Sequence, residues 1–250
     1  MTHAARYAEL HCRSNFSFLT GASHPEELVE RGAALGLAAL ALTDRDGLYG
    51  AVRFAKHAKT TQLATIVGVE LTLDMPELRP SRRMTSADLE RLPRIVLLAE
   101  NKTGYANLVH AISTAQLRGA KRDARLRMED LDGREAGIVA LSCSAHGYAE
   151  EALLRGNTVT ARARYTTLRD RFPGAFFIEL QHHLRPEDAR LVLAQIELAQ
   201  ELGVPYVATN GAAYAVPEDA LLCDVLTCVK HRTSLQRAGT LLLPNHEFYL

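Results

Sequence analysis

The sequence predicts an α/β fold of the barrel type, with about seven βα units. Three observations predict it. Strand-like and helix-like segments alternate along the 250 residues. The residues able to carry chemistry collect just after the strand segments, where a barrel gathers its site. There is no G-x-G-x-x-G and no G-x-x-x-x-G-K-[ST], and the first strand leads into HCRSNFSF, not into a glycine-rich phosphate loop. An open doubly wound sheet is the alternative arrangement of the same elements.

The elements follow in order. Tyr7–Arg13 is a short strand bounded by polar residues. Pro25–Leu35 is a helix, with Ser23 or His24 as its cap, Pro25 and two glutamates in its first turn, and Gly36 as its stop. Leu37–Thr43 is an apolar run suited to a buried parallel strand. Tyr49–Lys59 is helical and Ala64–Leu73 is the third strand. Residues 74–93 contain prolines and a cluster of three arginines at 79–83 and lack periodicity, so they read as a surface excursion. Arg94–Ala99 is the next strand and Tyr105–Leu117 a helix; a second basic stretch, Arg118–Arg127, follows. Gly137–Ser142 is a strand, two helical stretches lie between Tyr148 and Arg171, and Phe176–Gln181 is a strand. Pro186–Leu202 is a helix, Tyr206–Thr209 a strand and Pro217–Lys230 a helix. One domain over 1–250 is expected, since no linker, repeat or low-complexity tract divides the chain.

Composition narrows the class. Hydrophobic residues make up 47% and charged residues 23%, enough for a folded core. Lys+Arg and Asp+Glu are equal at 29 each, so bulk basicity gives no case for nucleic-acid binding. Cys12, Cys143, Cys223 and Cys228 form no C-x-x-C pair and are read as reduced thiols of a cytosolic protein. No signal peptide or membrane helix is expected. The closing HEFYL is an unusual way to finish a domain and suggests a fragment of a longer protein.

The candidate site begins with His11 and continues through Asp44, Asp46 and Glu70, all at early strand ends. Hard carboxylates with one imidazole can hold a divalent ion. Yet Arg13 and Arg45 stand beside them, and a guanidinium has no lone pair to give a cation. One reading is a metal site. The stronger one is an arginine–carboxylate network of Arg13, Arg45, Asp44, Asp46 and Glu70 in its place. Other residues carry less. His182 and His183 are adjacent and cannot both face one site from a strand. His57 and His110 lie on helices, and His146 lies in a loop. Cys143 lacks an orienting partner set, and Ser142 and Ser144 lack a G-x-S-x-G elbow. The basic stretches Arg79–Arg83 and Arg118–Arg127 could touch phosphates, but read more simply as solvated loops.

The segments ELHCRSNFSFLTGASHPEELV, ALALTDRDGLYGAVRFA, VGVELTL, LLAENKTGYANL, RPEDARL and PNHEFYL resemble, in order, the PHP (polymerase and histidinol phosphatase) domain at the N-terminus of C-family bacterial DNA polymerases. The NFSFLTGASHPEEL form is similar to the error-prone subgroup. The resemblance implies a distorted seven-stranded (β/α), TIM-like barrel. It also implies the positions of a trinuclear metal site found in metal-binding members. There the first H-x-H becomes His11 and Arg13, the aspartate of L-D-G-A becomes Thr20, and the histidine of T-D-H-D becomes Arg45. The glutamate is kept as Glu70. The histidine before V-L-L-A becomes Arg94, the cysteine of S-G-C falls at Ser144, and the last D-x-H becomes Gly211 and Ala213. Only His11 and Glu70 keep ligand types, so the resemblance implies a vestigial, metal-free site with no proofreading exonuclease.

By the same resemblance the parent is a cytoplasmic DNA-directed DNA polymerase of damage-induced mutagenesis, DNA repair and translesion synthesis. This domain would need no cofactor, while Mg2+ belongs to the parent's palm. Expected partners are the remaining polymerase domains, DNA through the parent, a RecA-like and a Y-family-like accessory protein and the sliding clamp; no membrane is expected. Two rivals stay open. One is a residual one-metal exonuclease or phosphoesterase using His11, Asp44 and Glu70; the other is a DNA-binding module using Arg82 and Arg83.

Overall fold

The computed structural model describes residues 6–78, 86–118 and 124–250. Among them the strands are β1 (Ala8–Cys12), β2 (Ala39–Leu42), β3 (Thr65–Thr72), β4 (Arg94–Ala99), β5 (Ile138–Leu141), β6 (Phe176–Leu180) and β7 (Tyr206–Ala208). The helices are α1 (Pro25–Ala34), α2 (Ala51–Thr61), α3 (Ser86–Glu90), α4 (Lys102–Arg118), α5 (Glu150–Leu154), α6 (Thr158–Arg171), α7 (Pro186–Leu202), α8 (Ala220–His231) and α9 (Leu235–Ala238). The strands neighbour one another in chain order, β1 through β7. This is the seven-stranded, TIM-like α/β class that the sequence predicts.

The chain divides into two compact units. The first comprises the residues up to Asp44, Leu48–Val67 and Thr209–Leu250. In it β1 pairs in parallel with β2, and β2 in parallel with the opening residues of β3. The segment after β7 joins on the other side of β1 through a parallel bridge, Cys12 to Ala212. The core is Cys12, Leu28, Val29, Leu40, Leu42, Phe54 and Ala58, with Ala212 and Ala215. Burying each large aliphatic or aromatic side chain there contributes about 1.5–3 kcal/mol before entropy is counted. Helix α1 starts as read from the sequence: Pro25 takes the first position and the Glu27 carboxylate accepts from the His24 N–H at 2.6 Å. Gly36, at φ +67°, ends it. The HEFYL segment runs beside 213–214: Ala213 N–H donates to Phe248 O at 2.8 Å, and Asn210 Nδ2 donates to Glu247 O and Tyr249 O.

The second unit comprises Arg45–Gly47 and Gly68–Ala208. Its strands are not all parallel. β4 runs antiparallel to both β3 and β5, while β5, β6 and β7 run parallel. A run of alternating βα units would give parallel pairs throughout, so β4 departs from that expectation. Reversal puts the first residue of β4, Arg94, opposite Thr72 at the last residue of β3. Residues 74–93 also differ from a pure surface excursion: Met75 and Leu92 are buried, while 79–85 lie outside the described residues. Arg94–Ala99 and Pro186–Leu202 have the boundaries read from the sequence, and α9 was not read there. All four cysteines are buried and free.

Candidate functional site

The expected site residues fall into both units, and each unit builds its own polar network. In the first, β1 alternates and sends Glu9 inward, fully buried. Its carboxylate accepts from Tyr7 Oη at 2.7 Å and from the N–H groups of His11 and Asn210 at 2.8 Å. Glu9 thus fastens β1 to the segment after β7. Burial pushes its proton affinity up, opposed by those three donors. Nothing in the sequence separated Glu9 from an ordinary strand glutamate.

Asp44, at the end of β2, is buried and satisfied by hydroxyls and a backbone amide. It accepts from Ser14 N–H at 2.8 Å, Ser14 Oγ at 2.9 Å and Ser17 Oγ at 2.8 Å. Burial raises its pKa, and Ser17, Ser14 and the charge of Arg13 oppose the rise. The sequence expectation was that Arg13 and Arg45 together neutralise Asp44, Asp46 and Glu70; at Asp44 serine hydroxyls and an amide hold the carboxylate, and the charge of Arg13 adds to them. Gly50 is packed against it, so a Cβ there would sit 2.6 Å from Asp44 Oδ2. His11 is buried. Thr20 Oγ1 donates to Ser17 O at 2.7 Å, within its own loop. Gly211 lacks a side chain and Ala213 offers only a methyl; Ala212, between them, accepts Arg13 N–H through its carbonyl at 2.8 Å.

The second unit holds the arginines. In the β3–β4 register Glu70 lies opposite Val96 and Thr72 opposite Arg94. Glu70 and Arg94 are therefore diagonal neighbours on one face. Arg94 Nη1 stands 3.2 Å from Glu70 Oε1, with both side chains at most 3% exposed. Arg94 Nη2 also donates to Glu90 O at 2.5 Å and lies 3.4 Å from Glu90 Oε2. Arg45 Nη1 meets the same Glu90 oxygen at 2.5 Å, and its Nε is 3.9 Å from Asp46 Oδ2. Glu90 therefore bridges two guanidiniums, a role the sequence did not reveal. Asp46 is held by Thr72, N–H at 2.8 Å and Oγ1 at 3.0 Å. Burial weakens the Arg45 cation, but Glu90, Glu70 and Asp46 together raise its pKa above the ordinary arginine value. Burial and the like charge of Arg45 push Arg94 the other way, opposed by Glu70 and Glu90.

Beyond β5, Cys143 and Ser144 take positive φ, +70° and +39°, a conformation costly for non-glycine residues. Both are buried, and burial pushes the Cys143 thiol well up, so it is a poor nucleophile. Nearby is a cluster missed in the sequence. Glu150 is fully buried; its Oε1 accepts from Tyr165 Oη at 2.7 Å and Gln195 Nε2 at 3.1 Å. Burial raises its pKa to about 7 against hydrogen bonds from Ser142, Tyr165 and Gln195.

The remaining histidines are dispersed. His182 and His183 sit in the turn after β6; His183 is buried, with its N–H on Asp188 at 2.9 Å. His57 pairs with Glu30 at 3.0 Å, and His110 and His146 are exposed. In the second basic stretch, Arg118 makes a two-pronged pair with Asp130 at 2.5 Å, and Arg127 pairs with Asp74 at 3.1 Å. Residues 119–123 of that stretch, and Arg79, Arg82 and Arg83 of the first, lie outside the described residues. Among the described residues no helix is long and apolar enough to cross a membrane.

Residues 9–183 match the PHP domain family. An error-prone DNA polymerase of Anaeromyxobacter sp. (strain K) is 43% identical over 248 residues, 99% of this chain and 20% of that protein. An error-prone DNA polymerase of Mycobacterium bovis is 39% identical over 246 residues, covering 95% and 22%. The chain thus spans about a fifth of the length of these relatives. Among solved structures, an amidohydrolase from Chromobacterium violaceum superposes with a TM-score of 0.50 at 17% identity, over 83% of this chain and 87% of that one; this likeness concerns the fold alone. With a family match over most of its length and relatives this similar from end to end, the chain belongs to the PHP domain family, in the form that proteins named error-prone DNA polymerase carry.

Proposed function

We propose that this PHP domain is catalytically inactive and binds no metal, and that it serves as a structural and interaction domain of an error-prone DNA polymerase. The observation that carries the reading is Arg94, buried and 3.2 Å from Glu70. Its guanidinium already places a fixed positive charge beside the carboxylate, and Arg45 adds a second fixed charge through Glu90. At about 4 Å, each opposes each unit of a cation's charge by roughly 4 kcal/mol at a surface-like effective dielectric. Two guanidiniums already offset two of the three carboxylates Glu70, Glu90 and Asp46, so the cluster has little electrostatic need of an ion.

Without a metal there is no source of the hydroxide that metal-dependent phosphodiester hydrolysis uses. The domain then contributes no 3′–5′ proofreading to its parent. The parent, on this reading, is a DNA-directed DNA polymerase acting at damaged templates, with Mg2+ in its palm and the other polymerase domains as this domain's direct neighbours. Accessory proteins of RecA-like and Y-family-like type and the sliding clamp would meet the parent. The test is a nuclease assay on 3′-labelled single-stranded DNA with zinc, manganese or magnesium. No mononucleotide release above the metal-only blank is the expected result. Release that Glu70→Ala abolishes would instead establish the residual exonuclease.

A further inference from the structure

Helix α8 is inverted relative to an ordinary surface helix. Its inward positions are Ala220, Cys223, Asp224 and Cys228, all buried and all small or polar. Its large apolar residues point out: Leu221 is 60% exposed, Leu222 46%, Val225 40% and Val229 59%. At 100° per residue these four fall within an arc of about 100°, a single continuous stripe. An amphipathic helix normally turns such a stripe toward the core. Here the inward side packs against Ala213 and Tyr214 through Cys223, and Asp224 pairs with His246 at 3.5 Å. The outward stripe stays exposed, and Leu235 and Leu241, just beyond the helix, add exposed apolar surface of their own. Contiguous exposed apolar surface, unlike apolar residues scattered singly, marks contact sites.

We propose that the Leu221–Leu222–Val225–Val229 face of α8 is the docking surface for an apolar face of the polymerase chain outside these 250 residues. The relatives that match 99% or 95% of this chain are about five times as long, since it covers only 20% or 22% of them. Such proteins have ample chain to cover the stripe, and a tethered segment meets it at high effective concentration. The inference rests on the reading of the chain as one domain of a larger polymerase, but not on the metal-free state of the domain.

Side-chain footprinting with a small photoactivated carbene probe tests it, comparing the 250-residue chain with the full-length polymerase. Labelling at Leu221, Leu222, Val225 and Val229 should fall several-fold in the full-length protein. In the full-length protein the combined variant Leu221→Lys, Val225→Lys and Val229→Lys should restore labelling at Leu222. Equal labelling of the stripe in both proteins overturns the proposal. So does protection in the isolated chain that grows with its concentration, which would assign the stripe to a second copy. Zinc and manganese analysis of the 250-residue chain alone keeps the two readings apart: ions bound there would contradict the metal-free state and leave the docking result standing.

Discussion

At the scale of single residues, the Arg94–Glu70 pair is the point where charge, burial and strand register coincide. Removing one partner of a buried pair leaves the other uncompensated, which costs about 3–5 kcal/mol. Arg94→Met should therefore lower the stability of the 250-residue chain by that order in urea titration. The double change Arg94→Met with Glu70→Leu should recover much of the loss, because no buried charge is then left alone. Arg45→Ala should cost less, since its partner Glu90 is 30% exposed and water can replace the guanidinium. A fully stable Arg94→Met would show that Glu70 does not depend on Arg94.

Glu150 gives a pH dependence with a definite sign. Its folded-state pKa is raised to about 7 from 4.5, chiefly by burial. In that interval the folded chain holds more protons at this site than the unfolded chain, so stability falls as pH rises. The contribution is present below about pH 4.5 and is lost as pH climbs through about 7; the shift corresponds to roughly 3 kcal/mol. Glu150→Gln keeps the shape and cannot ionise. Melting temperatures at pH 5 and pH 8 should converge in this variant relative to the parent chain, with the gain at pH 8. An unchanged pH profile would mean that Glu150 stays charged.

At the scale of elements, the reversal of β4 organises the second unit. In a parallel arrangement the C-terminal ends of strands gather at the site. Arg94 opens its strand, and only the antiparallel pairing brings it beside the end of β3. The run RIVLLA reads the same in either direction, so apolar patterning marked the strand and not its polarity. The LLAENKTGYANL segment shows a second constraint. A Cβ on Gly104 would lie 1.7 Å from Gly137 O, while Asn101 Oδ1 accepts the Gly104 N–H at 3.1 Å. Helix α4 can approach the entry of β5 only with glycine there. Gly104→Ala should cost about 1–3 kcal/mol by overpacking, seen as a lower urea midpoint with unchanged slope. A midpoint equal to that of the parent chain would mean that α4 shifts without cost.

At the scale of the whole molecule, the order of strands and helices was legible because apolar runs and helix punctuation survive in a single sequence. Pro25, Gly36 and the Pro186–Leu202 periodicity mark their elements directly. The polar networks were less legible. Arg13, Arg45, Asp44, Asp46 and Glu70 could be named from their place after strands. The bridging Glu90 lies 45 positions from Arg45, in a stretch without periodicity. Glu150 reads as one more acidic residue in a first helical turn, and only the packing of α6 and α7 around it reveals a buried carboxyl. Asp44 was assigned to an arginine because charge is visible in sequence, whereas the fold of the loop that turns Ser14 and Ser17 onto it is not.

The central claim is that arginines took over the electrostatic work of metal ions in this PHP domain. The most direct measurement is the metal content of the purified 250-residue chain by elemental analysis, after incubation with zinc and manganese and then desalting. Intact ligand sets hold their ions through such handling, so a closed site should retain less than about one-tenth of an equivalent. Retention of one or more equivalents, lost on Glu70→Ala, would contradict the claim and favour the residual one-metal exonuclease instead.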